Sequence, residues 1–167
     1  ARYLQQAGVP YGHDYLANTL ARHKQSAATL AQSFHNRFDP RIGAAAREAA
    51  AGELDARLEA QLASVTSLDD DRILRRFANL IAAAVRTNFF QIGPDGFSRP
   101  VIAFKFDSGR LEGLPAPRPL YEIFVYSPRV EGVHLRFGPV ARGGLRWSDR
   151  PQDFRTEVLG LVKAQQV

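Results

Sequence analysis

The sequence predicts an α+β fold: an N-terminal helical segment, then a small β-sheet of about three strands, then a C-terminal helix that packs on the sheet. Apolar residues recur at helical spacing as far as about residue 92, alternate with polar residues from residue 101, and return to helical spacing after residue 151. Two glycines and two prolines within residues 93–100 mark the first change of period. We therefore expect a helical linker or interaction segment at residues 1–92 and the start of a second, truncated domain at residues 93–167.

The helical segment carries three amphipathic patterns. Residues 14–38 and 47–65 each contain one apolar stripe, and the second is also rich in alanine and glutamate, which favour helix. The stripes consist of Leu16, Leu20, Ala27, Leu30, Phe34 and Phe38, and of Leu54, Leu58, Leu62 and Val65. Ser67 is predicted to cap a third helix, because three aspartates follow it where a helix N-terminus favours negative charge. That helix is expected to bury Ile73, Phe77, Leu80 and Ala84 and to expose Arg72, Arg75, Arg76 and Arg86.

Three strands are predicted after residue 100. Residues 101–107 alternate apolar and polar side chains, which is typical of a half-buried strand. A proline-rich connector at 113–119 precedes two further strands at 120–127 and 130–137. Only Pro128 and Arg129 separate these two strands, so we expect them to form a hairpin.

A loop at 138–150 leads to the last predicted helix. Pro151 lies near the first turn of this helix, where proline is favoured, and Ser148 or Asp149 is expected to cap it. Its apolar face is expected to comprise Phe154, Val158, Leu161 and Val162.

Composition excludes several classes of protein and site. The 167 residues include no cysteine, so disulfides, thiolate metal sites and cysteine nucleophiles are excluded. No apolar run reaches membrane-spanning length, and the chain does not open on a secretory pattern, so we expect a cytoplasmic protein with no membrane partner. The net charge of +5 is carried by 19 arginines and 3 lysines that are dispersed among 17 acids. No basic face interleaved with aromatic residues is evident, so nucleic acid is not an expected partner.

The loop at 138–150 is the strongest candidate site. Gly143 and Gly144 allow backbone N–H groups to approach a ligand without a Cβ in the way. Arg142 and Arg146 flank them, and each guanidinium can hold a carboxylate through two parallel hydrogen bonds. The pattern is typical of a cradle for a carboxylate or phosphate, and equally of a basic turn with a glycine hinge.

Other candidate residues are assigned structural roles. His134 is expected to be a solvated strand histidine, Trp147 to be a packing residue, and Lys163 to face solvent. Asp153 and Glu157 are expected to form a surface ion pair with Arg150 or Arg155. The four histidines lack metal-ligand spacing, so no metal site is predicted. No Gly-rich dinucleotide fingerprint or phosphate-binding Walker loop is present.

A longer string carries a family resemblance. Residues 121–167, which include "ARGGLRWSDR", "DFRTEV" and "LVKAQQV", closely resemble the large NAD-specific glutamate dehydrogenases of bacteria. The resemblance extends upstream through "LYEIFVYSP", "RTNFFQ", "SLDDDRILRRF" and "RFDP", and thus over essentially the whole chain. It implies oxidative deamination of L-glutamate to 2-oxoglutarate and ammonia with hydride transfer to NAD, in a cytoplasmic homo-oligomer.

The resemblance also implies where the substrate is bound. Smaller glutamate dehydrogenases hold the substrate carboxylates with a Lys-Gly-Gly-x-Arg loop, which this chain resembles at Arg142, Gly143, Gly144 and Arg146, with arginine in place of lysine. In the family the catalytic lysines, the acid–base aspartate and the NAD-binding domain follow this segment. We therefore expect an interior fragment that starts the catalytic, substrate-binding domain at 93–167, has no catalytic or cofactor-binding residue, and is inactive alone.

A second hypothesis belongs to a different class. The chain would be a non-catalytic regulatory or assembly module, in which the helices dock partner subunits and the 138–150 loop senses an anionic metabolite.

Overall fold

The computed structural model describes residues 1–139 and 148–165, and it confirms the α+β class. The helices are α1 (Arg2–Gln6), α2 (His13–Arg22), α3 (Lys24–Phe38), α4 (Ala44–Leu62), α5 (Leu68–Ala83) and α6 (Phe154–Gln165). The strands are β1 (Ala84–Thr87), β2 (Ile102–Asp107), β3 (Tyr121–Tyr126) and β4 (Glu131–Arg136), and a 3₁₀ turn (Pro151–Asp153) precedes α6. Two compact units divide the chain: residues 12–82 form one, and residues 1–11 together with residue 83 onward form the other.

The sheet is antiparallel in the order β1-β2-β3-β4. The three predicted strands and the hairpin between β3 and β4 are confirmed within one residue at each end. The described sheet has a fourth strand, β1, where the sequence predicted a continuing helix. Ala84 and Arg86 therefore lie on a strand paired with β2, because hydrogen bonding to a neighbouring strand outweighs the helical spacing of these residues.

The helical unit, residues 12–82, is built around leucines. Predicted stripe residues Leu30, Leu58 and Leu62 form one core cluster with Leu74. The first predicted helix is divided into α2 and α3 at His23, whose backbone leaves the helical region. The predicted cap on α5 is confirmed, since the Asp70 backbone N–H donates to Ser67 Oγ at 3.3 Å. None of the described helices combines the length and apolarity needed to cross a membrane.

A buried carboxylate connects α2 to the start of α5. Asp70 accepts hydrogen bonds from Arg22 at 2.7 Å and from Thr19 at 3.3 Å, and its other oxygen lies 2.9 Å from His23 Nε2. The hydrogen bond from Arg22, aided by those from His23 and Thr19, lowers the pKa of Asp70. The ionised carboxylate thus joins two helices that are distant in sequence.

The Asp39 carboxylate at the end of α3 is held by hydrogen bonds that should be lost in acid, so we expect the stability to fall at low pH. Arg41 donates to it from its side chain at 2.6 and 2.9 Å and from its backbone at 3.0 Å, and these hydrogen bonds lower the pKa of Asp39 from 3.8 to about 2. Because the folded pKa lies below the unfolded one, this stabilisation is complete above about pH 4 and is lost as the pH falls toward 2. Asp39→Asn should therefore flatten the pH dependence of urea unfolding in this window, and a slope equal to that of the parent chain would contradict the assignment.

Candidate functional site

The predicted substrate-binding residues, Arg142, Gly143, Gly144 and Arg146, lie outside the described residues, as does Trp147. The structure describes the chain on either side of them, at residues 138–139 and 148–150, together with the elements that hold those two ends.

The end that follows β4 is held by an arginine. The Arg136 side chain donates from Nε to the Gly138 carbonyl at 3.1 Å and from its terminal nitrogen to the Pro139 carbonyl. The Arg136 carbonyl in turn accepts the Leu120 N–H at 2.7 Å. The direction of the chain leaving β4 is therefore fixed by side-chain as well as backbone hydrogen bonds.

The end that precedes α6 is held by a glutamate. Ser148 Oγ donates to Glu157 Oε1 at 2.8 Å, and the Arg150 side chain donates to the same oxygen at 3.0 Å. Arg150 also lies 3.8 Å from Asp153, so the predicted ion pairs of Asp153 and Glu157 are confirmed with Arg150 as the partner. The prediction that Ser148 or Asp149 caps the helix is wrong, because Arg150 occupies the N-cap position and makes no side-chain cap bond. Ser148 Oγ accepts the Arg150 N–H instead.

A buried ion pair anchors α6 to the sheet. The Arg155 guanidinium donates to Glu122 on β3 at 2.7 and 3.1 Å, and the two side chains are 2% and 0% exposed. The Tyr3 hydroxyl donates to the same carboxylate at 2.7 Å, and the Tyr3 ring stacks on Phe106 with centroids 4.4 Å apart. Burial, with the nearby Glu122 charge, raises the pKa of Tyr3 well above its ordinary value, so the hydroxyl keeps its proton and donates.

Gln6 completes this buried network. Its amide oxygen accepts the Arg155 backbone N–H at 3.0 Å, while its amide nitrogen donates to Glu131 at 3.3 Å and to the Pro151 carbonyl. One side chain from α1 therefore satisfies the Arg155 N–H, which has no acceptor within α6, and also contacts the Pro151 carbonyl of the preceding 3₁₀ turn. The network fixes where α6 begins.

The buried pair of Arg155 and Glu122 is not predicted by the sequence patterns. The sequence predicts Arg155 only as a surface partner of Asp153 and Glu157. The apolar face predicted for α6 lacks Arg155 and Leu159, which are both buried, and includes Leu161, which is 43% exposed. The sequence of β3 does indicate that Glu122 is buried, because strand alternation places it on the same face as the buried Phe124. A carboxylate on an apolar face requires a buried cation as its partner.

A cavity of about 260 Å³ lies beside residues 148–150, the end of the loop that Glu157 holds. Val130 and Val133 of the β4 side and Phe154 and Val158 of α6 supply apolar walls, and Ser148 and Glu157 supply polar groups.

His134 and Lys163 are exposed, as predicted. Within residues 1–139 and 148–165, no group of three acidic or histidine side chains is arranged to hold a metal ion.

Comparison with known proteins identifies relatives over the whole chain. Residues 57–167 match the family model described as bacterial NAD-glutamate dehydrogenase, catalytic domain, and residues 1–40 match that of glutamate dehydrogenase, helical motif 3. The chain is 52% identical to an NAD-specific glutamate dehydrogenase of Mycobacterium tuberculosis, 53% to one of Halomonas elongata and 50% to one of Pseudomonas aeruginosa. Each match covers 100% of this chain and 10% of the relative, so the chain spans about a tenth of the length of these proteins.

Proposed function

Because the chain belongs to the bacterial NAD-glutamate dehydrogenase family, we propose that it is one segment of an enzyme that converts L-glutamate to 2-oxoglutarate and ammonia, with NAD as the hydride acceptor. The observation that carries this proposal is the identity of 50–53% along the whole chain with three proteins named NAD-specific glutamate dehydrogenase. The segment supplies part of the substrate site and is inactive without the rest of the enzyme.

Within this segment the proposed chemistry is the binding of a carboxylate. The guanidinium groups of Arg142 and Arg146 can each donate two parallel hydrogen bonds to a carboxylate, and the lack of a Cβ at Gly143 and Gly144 allows their backbone N–H groups to approach it. Such a cradle orients glutamate and neutralises its negative charge. No proton-transfer residue is assigned to this chain.

The described residues do not fit an NAD site. All of the described strands are antiparallel, whereas dinucleotide sites are typically built from parallel strands with a Gly-rich turn at a helix N-terminus. We therefore assign NAD binding to another part of the polypeptide.

We propose different roles for the two regions of the chain. Residues 93–167, which share a compact unit with α1 and β1, start the substrate-binding domain, and the helices within residues 1–92 form a linker and interaction segment. The match of residues 1–40 to a helical motif of glutamate dehydrogenases supports the second role.

The substrate-binding role predicts a selective effect of Arg142→Ala in the full-length enzyme. Loss of a charge-assisted hydrogen-bond donor should raise the KM for glutamate about tenfold or more, with a smaller effect on kcat. The measurement is glutamate-dependent NAD reduction, followed by absorbance of the reduced cofactor.

Arg99→Ala is a suitable control, because Arg99 is exposed in the connection between β1 and β2. Its KM for glutamate should equal that of the parent enzyme. An unchanged KM in Arg142→Ala would exclude the proposed role of Arg142, and an enzyme that oxidises a different amino acid but not glutamate would overturn the proposed substrate.

A further inference from the structure

Glu157 occupies a distinctive position beside the proposed substrate loop. Its Oε1 accepts hydrogen bonds from Ser148 and Arg150, which lie two and four residues after Arg146. The Arg150 backbone N–H closes the arrangement by donating to Ser148 Oγ at 3.2 Å. Glu157 Oε1 thus holds two residues, Ser148 and Arg150, at the end of the loop.

The Glu157 side chain is itself well fixed. It is 11% exposed, whereas that of Arg150 is 62% exposed. Glu157 lies in the first turn of α6, two residues after Arg155, whose side chain is buried against Glu122. The acceptor is therefore carried by a helix whose start is locked to the sheet, and the hydrogen bonds transmit that rigidity to Ser148.

The other end of the loop has a separate anchor. Arg136 on β4 holds the carbonyls of Gly138 and Pro139, so both ends are attached by side chains to regular elements. Substrate binding by paired guanidinium groups requires their positions to be defined to within a fraction of an ångström. The described ends of the loop, 138–139 and 148–150, each have such an anchor.

We propose that Glu157 is a positioning residue for glutamate binding: by accepting from Ser148 and Arg150 it fixes the exit of the loop that carries Arg142 and Arg146. This inference rests on the proposed function of that loop. Glu157 itself touches no substrate in this scheme, so its removal should weaken substrate binding and leave the chemical step largely unaffected.

The test uses the full-length enzyme with single and double variants. Glu157→Ala and Ser148→Ala should each raise the KM for glutamate about three- to tenfold, the factor expected for the loss of one hydrogen bond, while kcat and the KM for NAD change less than about twofold. The double variant should raise the KM little more than Glu157→Ala alone, because the hydrogen bond that Ser148→Ala removes is already lost in Glu157→Ala. Glu157→Gln keeps an oxygen acceptor for the Ser148 hydroxyl and should retain most of the affinity.

Asp153→Asn is the matched control. Asp153 also faces Arg150, at 3.8 Å, and carries the same charge only four residues before Glu157, yet it does not hold Ser148. Its KM for glutamate should remain that of the parent enzyme.

The outcomes separate this inference from the proposed function. A merely structural role for Glu157 would reduce the amount of active enzyme, and hence the apparent kcat, without changing the KM, and that result would overturn the inference alone. If Arg142→Ala raises the KM and Glu157→Ala does not, the loop binds substrate but Glu157 does not position it. If neither variant changes the KM, both the binding role of the loop and the inference are overturned.

Discussion

Arg155→Ala is expected to lower the free energy of unfolding of the sheet-containing unit by about 3–5 kcal/mol. The substitution removes the cation but leaves the Glu122 carboxylate buried, with the Tyr3 hydroxyl as its remaining donor in the described network. An uncompensated buried charge is far more costly than the loss of a hydrogen bond between neutral groups. Urea unfolding monitored by far-UV circular dichroism would measure the change.

Two further variants test the cause of this effect. Arg57→Ala removes an arginine from an i,i+4 pair with Glu53, in which the side chains are 43% and 72% exposed, and should cost less than about 1 kcal/mol. Combining Glu122→Ala with Arg155→Ala should cost much less than the sum of the two single effects, because the double variant leaves no buried unpaired charge. Additive effects, or an Arg155→Ala effect no larger than that of Arg57→Ala, would show that the pair does not act as a buried unit.

The same pair explains how α6 acquires a fixed position. A helix that packs only through apolar side chains can slide or rotate by small amounts, whereas a guanidinium with several hydrogen bonds to one carboxylate defines both distance and orientation. Gln6 adds a constraint on the backbone at Arg155. The rigidity that we infer for Glu157 therefore originates in residues that are distant in sequence.

Local patterns predicted most of the regular elements. The alternation in β2 and the short connection between β3 and β4 are properties of neighbouring residues, so the strands could be predicted nearly to the residue. β1 could not be predicted in this way, because Ala84 is compatible with helix and becomes a strand residue only through pairing with Phe106. The split between α2 and α3 was missed for a related reason, since one apolar stripe spans both helices.

The residue types of the proposed site are a prediction from the sequence that stays a prediction, whereas the residues that support its two ends could not be predicted. Two glycines flanked by arginines are compatible by spacing with an anion cradle or with a basic turn, and the family resemblance of residues 121–167 favours the cradle. The Tyr3–Glu122 and Gln6–Arg155 hydrogen bonds join residues separated by 119 and 149 positions, a separation at which no sequence period carries information. Arg155 illustrates the consequence, because a charged residue in a helix is usually exposed and only the tertiary fold shows that this one is buried.

Leu74→Ala is expected to destabilise the helical unit by about 2–5 kcal/mol. Leu74 on α5 is fully buried and forms a cluster with Leu30 of α3 and with Leu58 and Leu62 of α4. Truncation removes apolar surface from the centre of this cluster and leaves a cavity that three helices would have to shift to fill. Hydrogen exchange of backbone amides in α3, α4 and α5 would report the loss for this unit.

Leu68→Ala provides the comparison within the same helix. Leu68 begins α5 and is 66% exposed, so its truncation should change stability by less than about 0.5 kcal/mol. Both substitutions remove the same atoms, so a large difference between them reports mainly the burial of Leu74. Equal exchange rates in the two variants would mean that the leucine cluster does not hold α3, α4 and α5 together.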